Sequence, residues 1–474
     1  MTMSAVPTDL ARRLERFRAA QGDQGSPEGP LPHRRITAVE LAERLATTLD
    51  GEVVETPTGR FVRIEGRATD LPVDRARLAG LPGHPPPERP LVCLDTETTG
   101  LATATGTVAF LIGLGWWDGS AFKQIQLLLP DHGEEAALLD ELARHLPPNA
   151  WLVTYNGRGF DWPLLVTRYR LARRAAPIHD GHLDLLPVVR RVFRHRMDDA
   201  RLRTVERTLL GVIRHDDVDG WDIPGRYLGF LRGGPAQPLA AVVRHNDEDV
   251  RSLARLVALL DVGYATPDGR RNAPAGDLAG LARAYVRARR PQEALSCLDE
   301  VLARGEDRGY SVPRTSRPVD TDVRAGALPW WSPRVRPDFG GNPRPIAHRA
   351  LGWDRRLAAA APWDPQRIAT DRALLLRRLG RTADSAEAWG ALAAGPGRAA
   401  IVACIELAKL QEHRLGRLDL ALESTVHGRA LAERRRQLGM PEPALEADLR
   451  TRLARLRRRT ASADGLIKPG SPPG

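Results

Sequence analysis

The run Pro90-Leu91-Val92-Cys93-Leu94-Asp95-Thr96-Glu97-Thr98-Thr99-Gly100 constrains this chain most. Its apolar half reads as a buried strand, and that strand ends in two carboxylates two residues apart. Residues i and i+2 of a strand point to the same face, so Asp95 and Glu97 project into one small volume. Two like charges held that close are costly unless a cation joins them. Hard oxygen donors suit Mg²⁺ or Mn²⁺. The pair leaves two readings open: part of a metal-dependent catalytic site, or a strand end followed by a polar turn. Matching carboxylates later in the chain decide between them.

The chain has 474 residues, enough for several domains and a sizeable core. No apolar run approaches the ~20 residues of a membrane span. Met1 to Gln21 lacks the apolar core of a signal peptide. Cys93, Cys297 and Cys404 are scattered, with neither a disulfide framework nor zinc spacing, which fits a reducing cytoplasm. The net charge of +11 and pI near 10.3 suit a polyanionic partner, nucleic acid first. Only Lys123, Lys409 and Lys468 are lysines among 70 basic residues, so a compositional bias toward arginine accounts for the charge equally well.

Residues 1–34 have no apolar period and are expected to be disordered. Residues 35–87 are read as a small α/β segment and linker. A helix begins at Thr37, a hairpin follows through Pro57-Thr58-Gly59, and a Pro/Arg-rich linker starts at Leu71. From 88 to 263 the pattern is a mixed α/β sheet. Strands at Leu91–Leu94, Thr107–Trp117 and Phe122–Leu129 form an antiparallel meander. A helix from Glu134, a strand at Trp151–Tyr155, a helix from Asp161 and a short strand within Ile178–Leu186 come next. A last helix spans Leu239–Leu260. The remainder is all-α, with helical repeats at 273–305 and 346–459, a Pro/Arg-rich loop at 306–345 and a frayed tail at 460–474. Leu379-Gly380-Arg381 and Leu415-Gly416-Arg417 recur 36 residues apart, near the ~34-residue tetratricopeptide period. Arg450 to Arg459 reads as a solvated helical face, with a phosphate-binding stripe as the alternative.

Two further motifs carry acids. In Tyr155-Asn156-Gly157-Arg158-Gly159-Phe160-Asp161, a strand runs into a glycine turn and Asp161 opens the next helix, where a capping role is the plain alternative. In His245-Asn246-Asp247-Glu248-Asp249, His245 and Asp249 stand at i and i+4 and share one helix face. Taken in order, these three motifs resemble the DEDD exonucleases of the ribonuclease H-like superfamily over about 88–262. Thr105 to Gly113, His182 to Leu186, Arg203 to Glu206, Leu210-Gly211 and Asp222 to Pro224 are similar to bacterial ribonuclease H-like proteins with C-terminal tetratricopeptide repeats.

The resemblance implies a four-carboxylate site of Asp95, Glu97, Asp161 and Asp249 holding two Mg²⁺ or Mn²⁺ ions. It sets His245 in the general-base position. His245 departs from the family pattern: the histidine subgroup has five residues from His to Asp, whereas this chain has the four-residue step of the tyrosine subgroup. The implied activity is phosphodiester hydrolysis, as a 3′–5′ exonuclease on single-stranded DNA or RNA. A non-catalytic nucleic-acid-binding scaffold and a structure-selective endonuclease are the competing readings. Thr96, Thr98, Tyr155 and Asn156 are candidate substrate contacts. Phe160 is expected in the core, and Asp180, Asp247 and Glu248 are expected to be supporting or solvated. A protein partner for the repeats is implied by architecture, and no membrane partner is expected.

Overall fold

The computed structural model describes residues 36–100, 106–215, 217–307 and 365–464. The expected disordered N-terminus, most of the Pro/Arg-rich loop and the last ten residues lie outside them.

Eight strands form one mixed sheet: β1 (Glu52–Thr56), β2 (Gly59–Glu65), β3 (Thr69–Asp70), β4 (Leu91–Thr98), β5 (Ala109–Asp118), β6 (Ala121–Leu128), β7 (Trp151–Thr154) and β8 (Gly181–Asp184). Their order is β1-β2-β6-β5-β4-β7-β8, with β3 also on β6. The β4-β5-β6 meander is antiparallel, whereas β7 and β8 extend it in parallel beyond β4. β4 is therefore central. Its alternating side chains feed two cores, Val92 and Leu94 on one face and Leu91 and Cys93 on the other.

The helices flanking the sheet are α1 (Ala38–Leu49), α2 (Glu135–His145), α3 (Asp161–Leu171), α4 (Leu185–Val192), α5 (Ile223–Leu231) and α6 (Leu239–Tyr264). The segment 35–87 does not stand apart. β2 pairs with β6 from Val62 opposite Leu128 to Glu65 opposite Ile125, so the hairpin widens the sheet. The expected linker is docked as well. Leu78 and Leu81 are buried, and Arg77 grips the buried carboxylate of Asp261 on α6 with bonds of 2.7 and 2.6 Å. Pairing across such sequence distances leaves no local trace.

α6 crosses β4, β5 and β6, and two glycines make room for it. A Cβ on Gly113 would lie 2.4 Å from Asn246 Oδ1 and 2.6 Å from Val250 Cγ2. One on Gly115 would meet Phe122 at 2.3 Å and Val250 at 2.9 Å. The Gly-Leu-Gly step inside an otherwise bulky strand thus sets how closely the helix approaches.

Beyond the sheet, helices α7 (Ala275–Arg287), α8 (Pro291–Asp307), α9 (Pro365–Arg378), α10 (Thr382–Ala393), α11 (Gly397–His413), α12 (Leu418–Gln437) and α13 (Pro443–Asp464) each pack on the next. Gly380 and Gly416, in the two Leu-Gly-Arg segments, both adopt left-handed φ, +75° and +66°, and both stop a helix before the next begins. α7 shares a core with α4 and the second half of α6, so the array begins on the sheet domain's own surface. Its Asp277 is buried against Tyr264, Arg196 and His195. The arginine-rich stretch is not wholly a solvated face. Arg452, Arg455 and Arg459 of α13 converge on the buried Glu412. α13 also runs to Asp464, past the expected start of the frayed tail.

Gly113→Ala overpacks the α6 contact and is expected to cost about 1–3 kcal/mol. Chemical denaturation checks this, and an unchanged midpoint contradicts it.

Candidate active site

Asp95 and Glu97 lie near the end of β4, beside a shift in its register with β5 between Glu97 and Thr98. Such irregularities re-aim side chains at sites. Asp95 sits opposite Gly113 in register, next to the space that Asn246 fills. Asn246 is fully buried. Its Oδ1 accepts from Gln126 Nε2 at 2.8 Å, and its Nδ2 donates to Asp95 Oδ2 at 2.9 Å. A chain from β6 through α6 therefore fixes the first carboxylate.

Asp161 is the first residue of α3, where the helix dipole favours a negative charge. The turn before it is bent by Asn156 at φ +69°. Asp184 at the end of β8 holds that turn, accepting the Asn156 amide at 2.7 Å while also capping α4 through Leu186 N–H at 3.1 Å. Thr96 Oγ1 donates to Asp161 Oδ1 at 2.5 Å.

α6 brings Asp249 and His245. His245 Nδ1 is 2.7 Å from Asp217 Oδ1, and its Nε2 lies 3.9 Å from both Glu97 Oε1 and Asp249 Oδ2. With Asp217 accepting from Nδ1–H, the Nε2 lone pair faces the carboxylates. Asp249 Oδ1 accepts from Arg214 Nη2 at 2.5 Å, and the same nitrogen also bonds the buried Glu206.

The electrostatics match this crowding. Burial first, then Asp249, Asp161 and Glu97, hold the Asp95 carboxyl well above its usual range. Glu97 is raised well above its range by burial, then by Asp249, Asp161 and Asp217, with Arg214 opposing. Asp161 is raised by burial and partly restored by the Thr96 bond. Buried oxygen donors whose charges bear on Asp95 and Glu97 in this way fit a hard divalent cation, which would relieve both burial and repulsion. Asp95, Glu97, Asp161 and Asp249 are the groups that would hold it. As they stand the donors are not closed into a cage: among the described residues, no three acidic, histidine or cysteine groups are gathered as ligands.

Of the predicted substrate contacts, the Thr96 hydroxyl is spent on Asp161. Thr98 Oγ1 donates to Gly100 O at 2.7 Å, and Tyr155 Oη donates to Ala200 O at 2.6 Å. Asn156 is held by its backbone. Phe160 is not in the core: it is 52% exposed. It precedes the first turn of α3, whose inner face is already filled by Leu164, Leu165 and Tyr169. Asp247 and Glu248 pair with Arg251 and Arg255, and Asp180 with Arg89. Arg214, Asp217, Asn246 and Glu206 were not among the sequence candidates. The signals were the charged run Arg214-His215-Asp216-Asp217, the place of Asn246 beside His245, and the place of Glu206 at the end of the motif Arg203 to Glu206.

Asn246→Ala strips Asp95 and Gln126 of a buried partner, and a loss of about 1–3 kcal/mol is expected by denaturation. Wild-type stability contradicts that role.

Residues 92–261 match the profile of a family described as RNase_H superfamily. The match starts in β4 and ends in α6, so it takes in Asp95, Glu97, Asp161 and Asp249. Uncharacterized protein YprB of Bacillus subtilis (strain 168) is 39% identical over 168 residues, 35% of this chain and 40% of that protein. The shared stretch is thus less than half of either chain. Residues 92–261 therefore form a domain of the RNase_H superfamily.

Proposed function

We propose that this chain is a metal-dependent nuclease of the DEDD type. It hydrolyses phosphodiester bonds of single-stranded DNA or RNA, stepwise from the 3′ end, with two Mg²⁺ or Mn²⁺ ions. The superfamily generally catalyses nucleic-acid hydrolysis, which supports the reaction class. The direction of cleavage rests on the DEDD resemblance alone. The observation that carries the reading is that buried acids of β4 feel the charges of Asp161 on α3 and Asp249 on α6, while Glu97 and Asp249 both lie 3.9 Å from His245 Nε2.

Asp95, Glu97, Asp161 and Asp249 would hold the ions. When bound, such a pair activates a water and stabilises the leaving oxygen. His245 takes the water's proton at Nε2. Asp217 keeps the ring oriented through Nδ1 and stabilises the imidazolium that forms. Asn246 and Thr96 fix the directions of Asp95 and Asp161. The exposed Phe160 ring, next to Asp161, offers a face on which an unpaired base can stack. The helical array α7–α13 is read as a degenerate tetratricopeptide-like module that binds a protein partner.

The test incubates the full chain and Asp95→Ala with single strands labelled at either end, plus Mg²⁺ or Mn²⁺. A ladder shortening from the 3′ end by wild type only is expected. Equal products from both proteins sink the assignment, and internal fragments replace the stepwise mode with endonucleolytic cutting. Binding without cleavage leaves only a scaffold role. In the same assay, His245→Ala should slow cleavage by ~10²-fold or more. Asp217→Asn should slow it less, and an unchanged rate for His245→Ala removes the base role.

A further inference from the structure

Arg214 lies in an irregular stretch after the π-helical turn Glu206–Leu210, yet its side chain is only 6% exposed. One guanidinium reaches both halves of the site. Nη2 bonds Glu206 and Asp249 Oδ1, the latter at 2.5 Å. Nη1 is 3.7 Å from Asp217 Oδ2 and 3.4 Å from His245 O. Burial alone would lower the guanidinium's pKa, but Asp249 and Glu206 reverse this. Glu206 is wholly buried, so an arginine that swung away would leave its charge bare. That anchor argues for a fixed group rather than a movable one.

We propose, resting on the nuclease reading, that Arg214 is a positioning residue of this site. It takes up one oxygen of Asp249, so that Asp249 offers a bound cation the other, Oδ2. The planar fork suits the task, because its two nitrogens reach Asp249 and the Asp217–His245 pair together. A lysine ammonium concentrates its donors at one point and cannot span both.

The test uses the full chain and the double variant Arg214→Gln/Glu206→Gln, which leaves the net charge unchanged and no bare buried carboxylate. Arg214→Lys and Asp95→Asn are run beside it. Mn²⁺ binding is measured by calorimetry, unfolding temperature reports folding, and cleavage is followed across Mn²⁺ concentration. The double variant is expected to bind Mn²⁺ about tenfold or more weakly. Its cleavage should fall at limiting Mn²⁺ and recover toward wild type as Mn²⁺ rises, and lysine should not rescue it. If the double variant fails to fold, the same losses are expected in Arg214→Lys. Wild-type Mn²⁺ affinity in the folded variant overturns the proposal. Tighter binding also overturns it, by showing that Arg214 competes with the cation. Wild-type binding by Asp95→Asn overturns the nuclease reading and this proposal with it. Weakened binding there alone leaves the nuclease reading standing without Arg214.

Discussion

Helix α6 carries Asp249 to the end of β4 because Gly113 and Gly115 have no side chains to hold it off. The contact does several things at once. Val250 packs into the notch beside the two glycines. Asn246 reaches Asp95 and Gln126. His245 and Asp249, one helical turn apart, then face the acids of β4. Close packing of helix on sheet is therefore also what assembles the charged cluster, and a bulkier strand would separate its halves.

The cluster is electrostatically expensive by itself. Asp95, Glu97 and Asp161 are all pushed toward protonation, by burial first and then by neighbouring carboxylates: Asp249 and Asp161 for both Asp95 and Glu97, and Asp184 for Asp161. Neighbouring groups offset this unevenly: Asn246 donates to Asp95, Thr96 to Asp161 and Arg214 to Asp249, whereas Glu97 has His245 Nε2 at 3.9 Å and the opposing charge of Arg214. Each donor also fixes a direction, which a cation site needs in addition to charge. The remaining negative charge is the strongest physical argument for a divalent ion.

Much of the architecture was legible because periodicity reports burial. β4 to β7 and α6 fall close to the runs that apolar spacing outlines, and the acids stand at strand and helix ends. Partners were not legible. The 52–65 hairpin reads as a strand pair, but nothing local says that Val62 meets Leu128. Phe160 was misplaced because residue type outweighed its position ahead of a helix with a filled inner face. Arg214 and Asp217 sit in an aperiodic stretch where charge reads as solvent exposure, and only the fold turns them inward. Thr96, Thr98 and Tyr155 spend their hydroxyls within the protein, on Asp161, Gly100 and Ala200, which residue type alone does not announce.

The central claim is that the acids of β4, α3 and α6 form one cation site. Crystals of the full chain soaked in Mn²⁺ and examined by anomalous scattering test it most directly. Anomalous density bounded by Asp95, Glu97, Asp161 and Asp249 is expected, with Arg214 still on Asp249 Oδ1. Density only elsewhere in a well-ordered soaked crystal, or none at saturating Mn²⁺, contradicts it.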